Sequence, residues 1–458
     1  MNLDAYYQSI EKKRVSFAAR GFEPRALHPK LKPHQAHCVD FALRTGCSAM
    51  FLDTGLGKTL AALDWARAVT EKTNKPVLML APLAVAQQHQ REAELFDLDA
   101  KAVREPDEIK GARTYITNYD RLAKFNPDQF GGVVLDESSI LKSFTGKTTR
   151  ALIETFAAMP YRLACTATPA PNDHTELGQH ADFLGVMESP EMLSRWFLAD
   201  QTQMGRYRLK RSAVRPFWDW VASWARCIAK PSDIGLSDDG YILPSLNMRR
   251  HVVEADRSVD SGEFLFRIPD MSATSIHKEK RLTKDARADV IAGLVASEPS
   301  EPWVIWCDTD YEADALAARI PDALEVRGSM PAEKKEERLI AFSSGQARAI
   351  ITKPSIAGFG LNWQHCARVA FVGLSFSYES YYQAVRRCWR FGQARAVEVH
   401  VAMADTERSI WDVITRKTDD HGAMKTEMNA AMKRASRQSG VLQDYEPTQP
   451  MRLPQWLS

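Results

Sequence analysis

Short apolar runs recur along the chain, each bounded by turn residues or charges and followed by a longer stretch with helical spacing. The first series comprises Ala49 to Leu52, Val77 to Ala81, Tyr115 to Thr117, Val133 to Leu135 and Arg162 to Cys165. The second comprises Trp303 to Cys307, Ala323 to Val326, Ala349 to Thr352, Val369 to Val372 and Val397 to Val401. Runs apolar on both faces, interleaved with amphipathic stretches, predict parallel sheets covered by helices. The expected fold class is therefore α/β, with one sheet in each of two domains. Between the series, residues 172–245 show helical spacing without buried-strand runs and carry Trp196, Phe197, Phe217, Trp218, Trp220 and Trp224, which predicts a helical insertion. Phe217, Trp220 and Trp224 fall at i, i+3 and i+7 on one helix face and are read as core, with Trp218 pointing elsewhere. Pro, Ser, Asp and Lys mix over 246–284, with one extended run from Met248 to Glu254, and this stretch is read as a linker. The expected domains are thus 1–171, the insertion 172–245, the linker 246–284, a second domain 285–419 and a docked or mobile tail 420–458.

Composition narrows the class but not the chemistry. At 458 residues the chain is about three times the ~150 residues of a typical domain. It is 45% hydrophobic and 26% charged, which excludes collagen-like and low-complexity chains. Sixty basic residues against 58 acidic ones leave a net charge of +2, so any nucleic-acid surface must be local. The seven cysteines are scattered singly and the eleven histidines show no ligand spacing, so no structural metal is expected and each His is read as a surface or core residue. No apolar run reaches the ~18 residues of a membrane span, and MNLDAYYQSIEKKR lacks a secretory signal's apolar stretch, which predicts a cytoplasmic protein away from membranes.

Two segments carry candidate chemistry. Residues 50–63, MFLDTGLGKTLAAL, read as strand, glycine-containing turn and helix. Backbone N–H groups of such a loop converge on an anion, Gly55 and Gly57 permit close approach, Lys58 reaches the β- and γ-phosphates, and Thr59 holds Mg²⁺. Leu52 stands where the general pattern has another Gly, and an ordinary helix-capping turn is the plain alternative. Residues 133–139, VVLDESS, end an apolar strand in paired carboxylates. Asp136 suits Mg²⁺ binding and Glu137 suits polarising an attacking water.

Further motifs follow in order: LKPHQ at 31–35, APLAV at 81–85, ITNYDRL at 116–122, CTATPAPND at 165–173, AGFGLN at 357–362 and QAVRRCWRFGQ at 383–393. Together with DTGLGKT and LDESS, they make residues 30–402 resemble the superfamily-two helicases, and among these the Swi/Snf-type DNA translocases. The most specific likeness is the last motif, met by Gln383, Arg387, Arg390, Gly392 and Gln393. The resemblance implies two RecA-like domains and ATP with Mg²⁺ as ligands. It implies that Gln35 reads the adenine, that Gln383 joins the ATP site, and that Arg387 and Arg390 are arginine fingers from the second domain. It further implies that Thr166 and Thr168 form a coupling turn, and that Thr117, with the Pro82 loop, contacts the nucleic-acid strand. Where the family's acidic box continues Ala-His or Ala-Asp, this chain has Ser138 and Ser139, a departure that bears on contacts to the coupling turn. With no further recognition module legible, the chain resembles a compact bacterial or bacteriophage member.

Arg206, Arg208, Lys210, Arg211 and Arg215 cluster in the insertion, and Arg208, Lys210 and Arg211 are the DNA contacts expected there. The function this predicts is DNA-dependent ATP hydrolysis coupled to translocation along duplex DNA. A strand-separating helicase and a P-loop phosphotransferase are the rivals, along with a DNA-binding scaffold whose nucleotide site is vestigial. A small-molecule kinase has no need of Arg387 and Arg390. Duplex DNA is the partner expected, and no residue pattern identifies a nuclease or a replication or recombination factor.

Overall fold

The structure, a computed structural model, describes residues 19–82, 85–143, 145–202, 205–255, 273–357 and 362–438. They divide into two compact units, one of residues 19–238 with 421–438 and one of residues 239–420.

In chain order the first unit contains α1 (Pro33–Thr45), β1 (Cys47–Leu52), α2 (Lys58–Thr73), β2 (Val77–Ala81), α3 (Ala86–Leu95), β3 (Ala100–Ala102), β4 (Thr114–Asn118), β5 (Gly132–Asp136), α4 (Lys147–Thr155) and β6 (Tyr161–Cys165). It continues through α5 (Leu177–Leu184), α6 (Ser189–Trp196), β7 (Phe197–Ala199), β8 (Tyr207–Leu209), α7 (Val214–Trp224) and β9 (Ala225–Ile228). Its main sheet has the order β3-β4-β2-β5-β6-β1-β9 and is parallel at every pairing. β1, β2, β4 and β5 are buried along their whole length, as strands covered on both faces must be. Pro33 starts α1 at a position whose N–H has no helical partner, and Asn74 ends α2 in the left-handed region.

Two expectations change here. The stretch 172–245 is not purely helical: β7 and β8 form an antiparallel hairpin, and β9 returns to the main sheet beside β1. Arg226 disguises β9 in the sequence. It is buried, its guanidinium 3.4 Å from the Phe41 ring centroid and 2.7 Å from the Ala222 carbonyl. The three half-buried residues of β3, at the sheet edge, are too short a run to read as a strand. Trp218 also joins the core rather than pointing away, fully buried and edge-on to His174 at 5.4 Å. Its neighbours pack as expected, Trp220 lying 4.6 Å from Trp196, and Trp224 reaching Phe51 of β1 at 6.0 Å.

The second unit contains β10 (Leu246–Val253), α8 (Ala273–Ser297), β11 (Trp303–Trp306), α9 (Asp310–Arg319), β12 (Leu324–Val326), α10 (Ala332–Ser343), β13 (Ala349–Thr352), α11 (Pro354–Ala357), β14 (Arg368–Val372), α12 (Tyr378–Val385) and β15 (Val397–Ala404). Its sheet, β10-β15-β14-β11-β13-β12, is again parallel throughout. The stretch read as a linker over 246–284 therefore supplies β10, which pairs with β15 over eight residues, and the start of α8. Residues 256–272 of that stretch lie outside the described residues.

A final helix, α13 (Arg408–Gln438), ends in the first unit. Met424, Met428, Ala431 and Met432 are buried in that unit's core with Phe51 and Cys227. Of the tail expected over 420–458, residues through 438 are thus docked, and the remainder lies outside the described residues. Among the described residues no helix is long and apolar enough to cross a membrane.

Candidate nucleotide and nucleic-acid sites

Parallel strands that all point one way deliver their carboxyl ends to one edge of the sheet, where ligands of open α/β folds bind. Register sets the level. Asp136 of β5 pairs with Cys165 of β6, which pairs with Met50 of β1. The residues just beyond these three are Glu137, the Thr166 turn and the phosphate loop, and the Thr166 N–H donates to the Met50 carbonyl at 3.2 Å.

In the loop, Gly55 (φ 92°) and Gly57 (φ 75°) occupy backbone conformations that suit glycine. A Cβ on Gly57 would stand 2.0 Å from the Gln35 amide nitrogen. Gln35 is buried at the start of α1, donates to the Leu56 carbonyl at 3.0 Å and accepts from the Lys32 N–H at 2.8 Å, so the LKPHQ segment is stitched to the loop. Lys58 and Thr59 open α2. The Lys58 ammonium donates to the Leu52 carbonyl at 2.9 Å; burial lowers its pKa, opposed by the charges of Glu137, Asp53 and Asp136.

Burial would raise the Asp136 pKa, but His89 and Lys58 outweigh it and hold the carboxyl below the usual range. His89 Nε2 lies 2.7 Å from Asp136 Oδ2, and the Tyr119 hydroxyl donates to the Asp136 carbonyl at 2.6 Å. Glu137 has a left-handed backbone (φ 55°, ψ 53°), a strained conformation for a residue with a Cβ. Thr166 Oγ1 donates to Glu137 Oε2 at 3.3 Å and accepts from the Thr168 N–H at 3.1 Å. The departure at 138–139 thus has a structural counterpart: the Thr166 turn bonds the carboxylate of Glu137 directly, while Ser138 bonds buried His180 at 3.1 Å. A carboxylate held below the usual range at Asp136, with the Thr59 hydroxyl in the first turn of the helix after the phosphate loop, is an oxygen-donor set that fits Mg²⁺ on a triphosphate. Among the described residues no group of three or more His, Cys, Asp or Glu side chains is placed to hold a metal by itself. His89, Tyr119 and Lys425, whose ammonium lies 3.0 Å from Asp53 Oδ2 of the loop, escaped the sequence reading. His89 and Ala93 form the buried face of α3.

Gln383 lies buried in α12 of the second unit, with Arg387 buried and Arg390 half-buried just beyond. The end of that motif shapes the turn: Gly392 has φ 90°, and buried Gln393 donates to the Cys366 and Cys388 carbonyls. Most of AGFGLN, residues 358–361, falls outside the described residues.

The expected DNA contacts separate. Arg206, Arg208, Arg211 and Arg215 are exposed on and after the β7–β8 hairpin. Lys210 is not available in the same way, because its ammonium caps α6 by donating to the Ser194 and Arg195 carbonyls at 3.1 and 2.8 Å. Thr117 is 1% exposed inside β4, so its side chain is not presented for a strand contact.

Residues 32–177 match the DEAD/DEAH box helicase family and residues 258–392 the helicase conserved C-terminal domain. The chain is 22% identical to the DNA annealing helicase and endonuclease ZRANB3 of Mus musculus over 89% of its length, and 23% and 22% identical to the proteins of that name from Bos taurus and Homo sapiens. It spans about two-fifths of the length of these relatives, 42%, 42% and 41%. Two parallel sheets, a phosphate loop facing a carboxylate pair, and both helicase matches in chain order place this protein among the superfamily-two helicase-like ATPases of Swi/Snf type.

Proposed function

We propose that the chain is a DNA-dependent ATPase that couples ATP hydrolysis to translocation along duplex DNA. The observation that carries the reading is the hydrogen bond from Thr166 to Glu137, which ties the group suited to activating water to the turn that precedes the segment carrying exposed Arg206, Arg208 and Arg211. The phosphate loop and Lys58 bind the triphosphate, Gln35 reads the adenine, and Thr59 and Asp136 would hold Mg²⁺. Bound there, Mg²⁺ would neutralise charge on the β- and γ-phosphates. Glu137 orients water and accepts its proton, and its bond from Thr166 makes that carboxylate's position depend on the turn. Arg387 and Arg390 supply positive charge to the γ-phosphate only when the second unit presents them, which makes hydrolysis depend on domain closure. Exposed Arg206, Arg208 and Arg211 bind phosphates without reading bases.

DNA as the substrate draws support from the name of the relatives, and translocation from the family. Steady-state ATP hydrolysis should rise with duplex DNA, and ATP should drive displacement of a third strand from a triplex while a simple forked duplex stays paired. Efficient unwinding of the fork without triplex displacement would favour the strand-separating alternative. Absence of DNA stimulation would remove the reading.

A further inference from the structure

α3 buries two side chains, His89 and Ala93. A helix with so narrow an inward face is most simply held by apolar contacts, and an imidazole there is costly unless its nitrogens are bonded. One is: Nε2 lies 2.7 Å from Asp136 Oδ2, with His89 3% and Asp136 7% exposed. The other, Nδ1, is buried with no hydrogen-bond partner among the described residues. A leucine would fill the same face without that loss, so the imidazole has its purpose in the one bond it makes. Asp136 is meanwhile held from behind by the Tyr119 hydroxyl on its carbonyl.

We propose that His89 is a positioning residue, donating Nε2–H to Asp136 Oδ2 and so fixing the carboxylate in the orientation in which it serves Mg²⁺ and nucleotide. The proposal rests on the assignment of Asp136 made above. Oriented carboxylates bind metal more tightly because less rotational freedom is lost on binding, and removing such a supporting partner typically weakens metal affinity roughly 10- to 100-fold. His89 reaches Asp136 from α3, and its side-chain bond goes to that carboxylate and not to the phosphate loop, so it acts on the metal dependence of binding.

The test is equilibrium binding of a fluorescent, non-hydrolysable ATP analogue to the full chain as Mg²⁺ is titrated, with thermal melting of each variant alongside. His89→Leu should raise the half-saturating Mg²⁺ concentration roughly tenfold or more, while leaving the weak metal-free binding of the analogue as in the wild type. His89→Gln, whose amide can reach Oδ2, should restore most of the wild-type value, and the shorter His89→Asn should not. In an Asp136→Asn background, His89→Leu should add nothing. If His89→Leu does not fold, the Gln and Asn pair decides. Unchanged Mg²⁺ dependence in Leu and Asn variants, or a loss in Gln as large as in Asn, would overturn the proposal. Failure of the wild type to bind the analogue in any Mg²⁺ concentration would instead remove the nucleotide-site assignment on which it rests.

Discussion

Glu137 concentrates the local physics of the site, because a left-handed backbone at a residue bearing a Cβ costs on the order of 1–3 kcal/mol and persists only where its surroundings over-determine it. Glu137→Gln should keep shape and nucleotide binding while stalling hydrolysis, measured as bound nucleotide against phosphate release; hydrolysis at the wild-type rate would displace Glu137 as the base. Glu137→Gly and Glu137→Ala should both be inactive, but the glycine variant should be more stable by about 1 kcal/mol in urea unfolding, since only glycine escapes the strain. His180 gives a second residue-scale expectation. Burial lowers its pKa to about 4, and it bonds Ser138. The unfolded state, near the ordinary 6.5, takes up the proton first as pH falls, so stability from a neutral His180 is complete above about 6.5 and is lost between there and about 4. Glu176, one turn earlier, opposes this: burial raises it to about 7, so it gains stability as pH falls through part of that window. The two are separated by comparing variants. The stability difference between wild type and His180→Gln should shrink as pH falls from 6.5 to 4, by up to ~3 kcal/mol; a constant difference in urea unfolding would show that His180 is protonated in the folded state. Lys58, Asp136 and Glu137 stand out in the sequence because phosphate chemistry needs particular atoms at short spacing, and the structure brings their charges together; His89 and Lys425 do not, because their partners Asp136 and Asp53 come from far along the chain.

Elements were legible in proportion to how purely apolar they are. β2 and β13 have the ends expected from the pattern, and β1, β4, β5 and β6 extend it by one or two residues. β9 escaped because a buried arginine interrupts four residues that directly follow an aromatic helix, and its burial depends on Phe41 and the end of α7, which the pattern does not contain. β10 is legible as an extended run from Met248 to Glu254 but reads as part of a linker because, as an edge strand, it keeps Arg249 and Arg250 exposed; its partner Glu398, 2.7 Å from Arg249, lies 149 residues on. The β7–β8 hairpin separates two roles that the basic run RYRLKR merges. Replacing both Arg208 and Arg211 with Ala should weaken DNA binding and lower the slope of log affinity against log salt by roughly 0.9 for each phosphate no longer neutralised. Lys210→Ala should leave that slope unchanged and lower the melting temperature, since its ammonium caps α6. A reduced slope for Lys210→Ala in fluorescence anisotropy would return it to the DNA surface.

At the scale of the whole molecule, the phosphate loop, Asp136 and Glu137 belong to one unit, and Gln383, Arg387 and Arg390 to the other. Arg387→Ala or Arg390→Ala should therefore leave nucleotide affinity near wild type and lower turnover, by as much as roughly 10³- to 10⁵-fold if either acts as an arginine finger. Loss of affinity with unchanged turnover per bound nucleotide would assign them to binding instead. The end of α13 carries the opposite lesson about units, since Met424, Met428 and Met432 complete the core of a unit whose other residues end near 238. The sequence alone determined the α/β class, the two series of strands and the order of the motifs, because buried parallel strands need continuous apolar runs and phosphate chemistry needs particular side chains at short spacing. Tertiary structure decided what depends on distant partners. It placed β9 and β10 in their sheets, brought His89 onto Asp136 and Thr166 onto Glu137, withdrew Lys210 and Thr117 from the exposed arginines, and seated the end of α13 against Phe51. Each is a contact across tens to hundreds of residues, and hydrophobic periodicity reports which face of an element is buried, not which neighbour buries it.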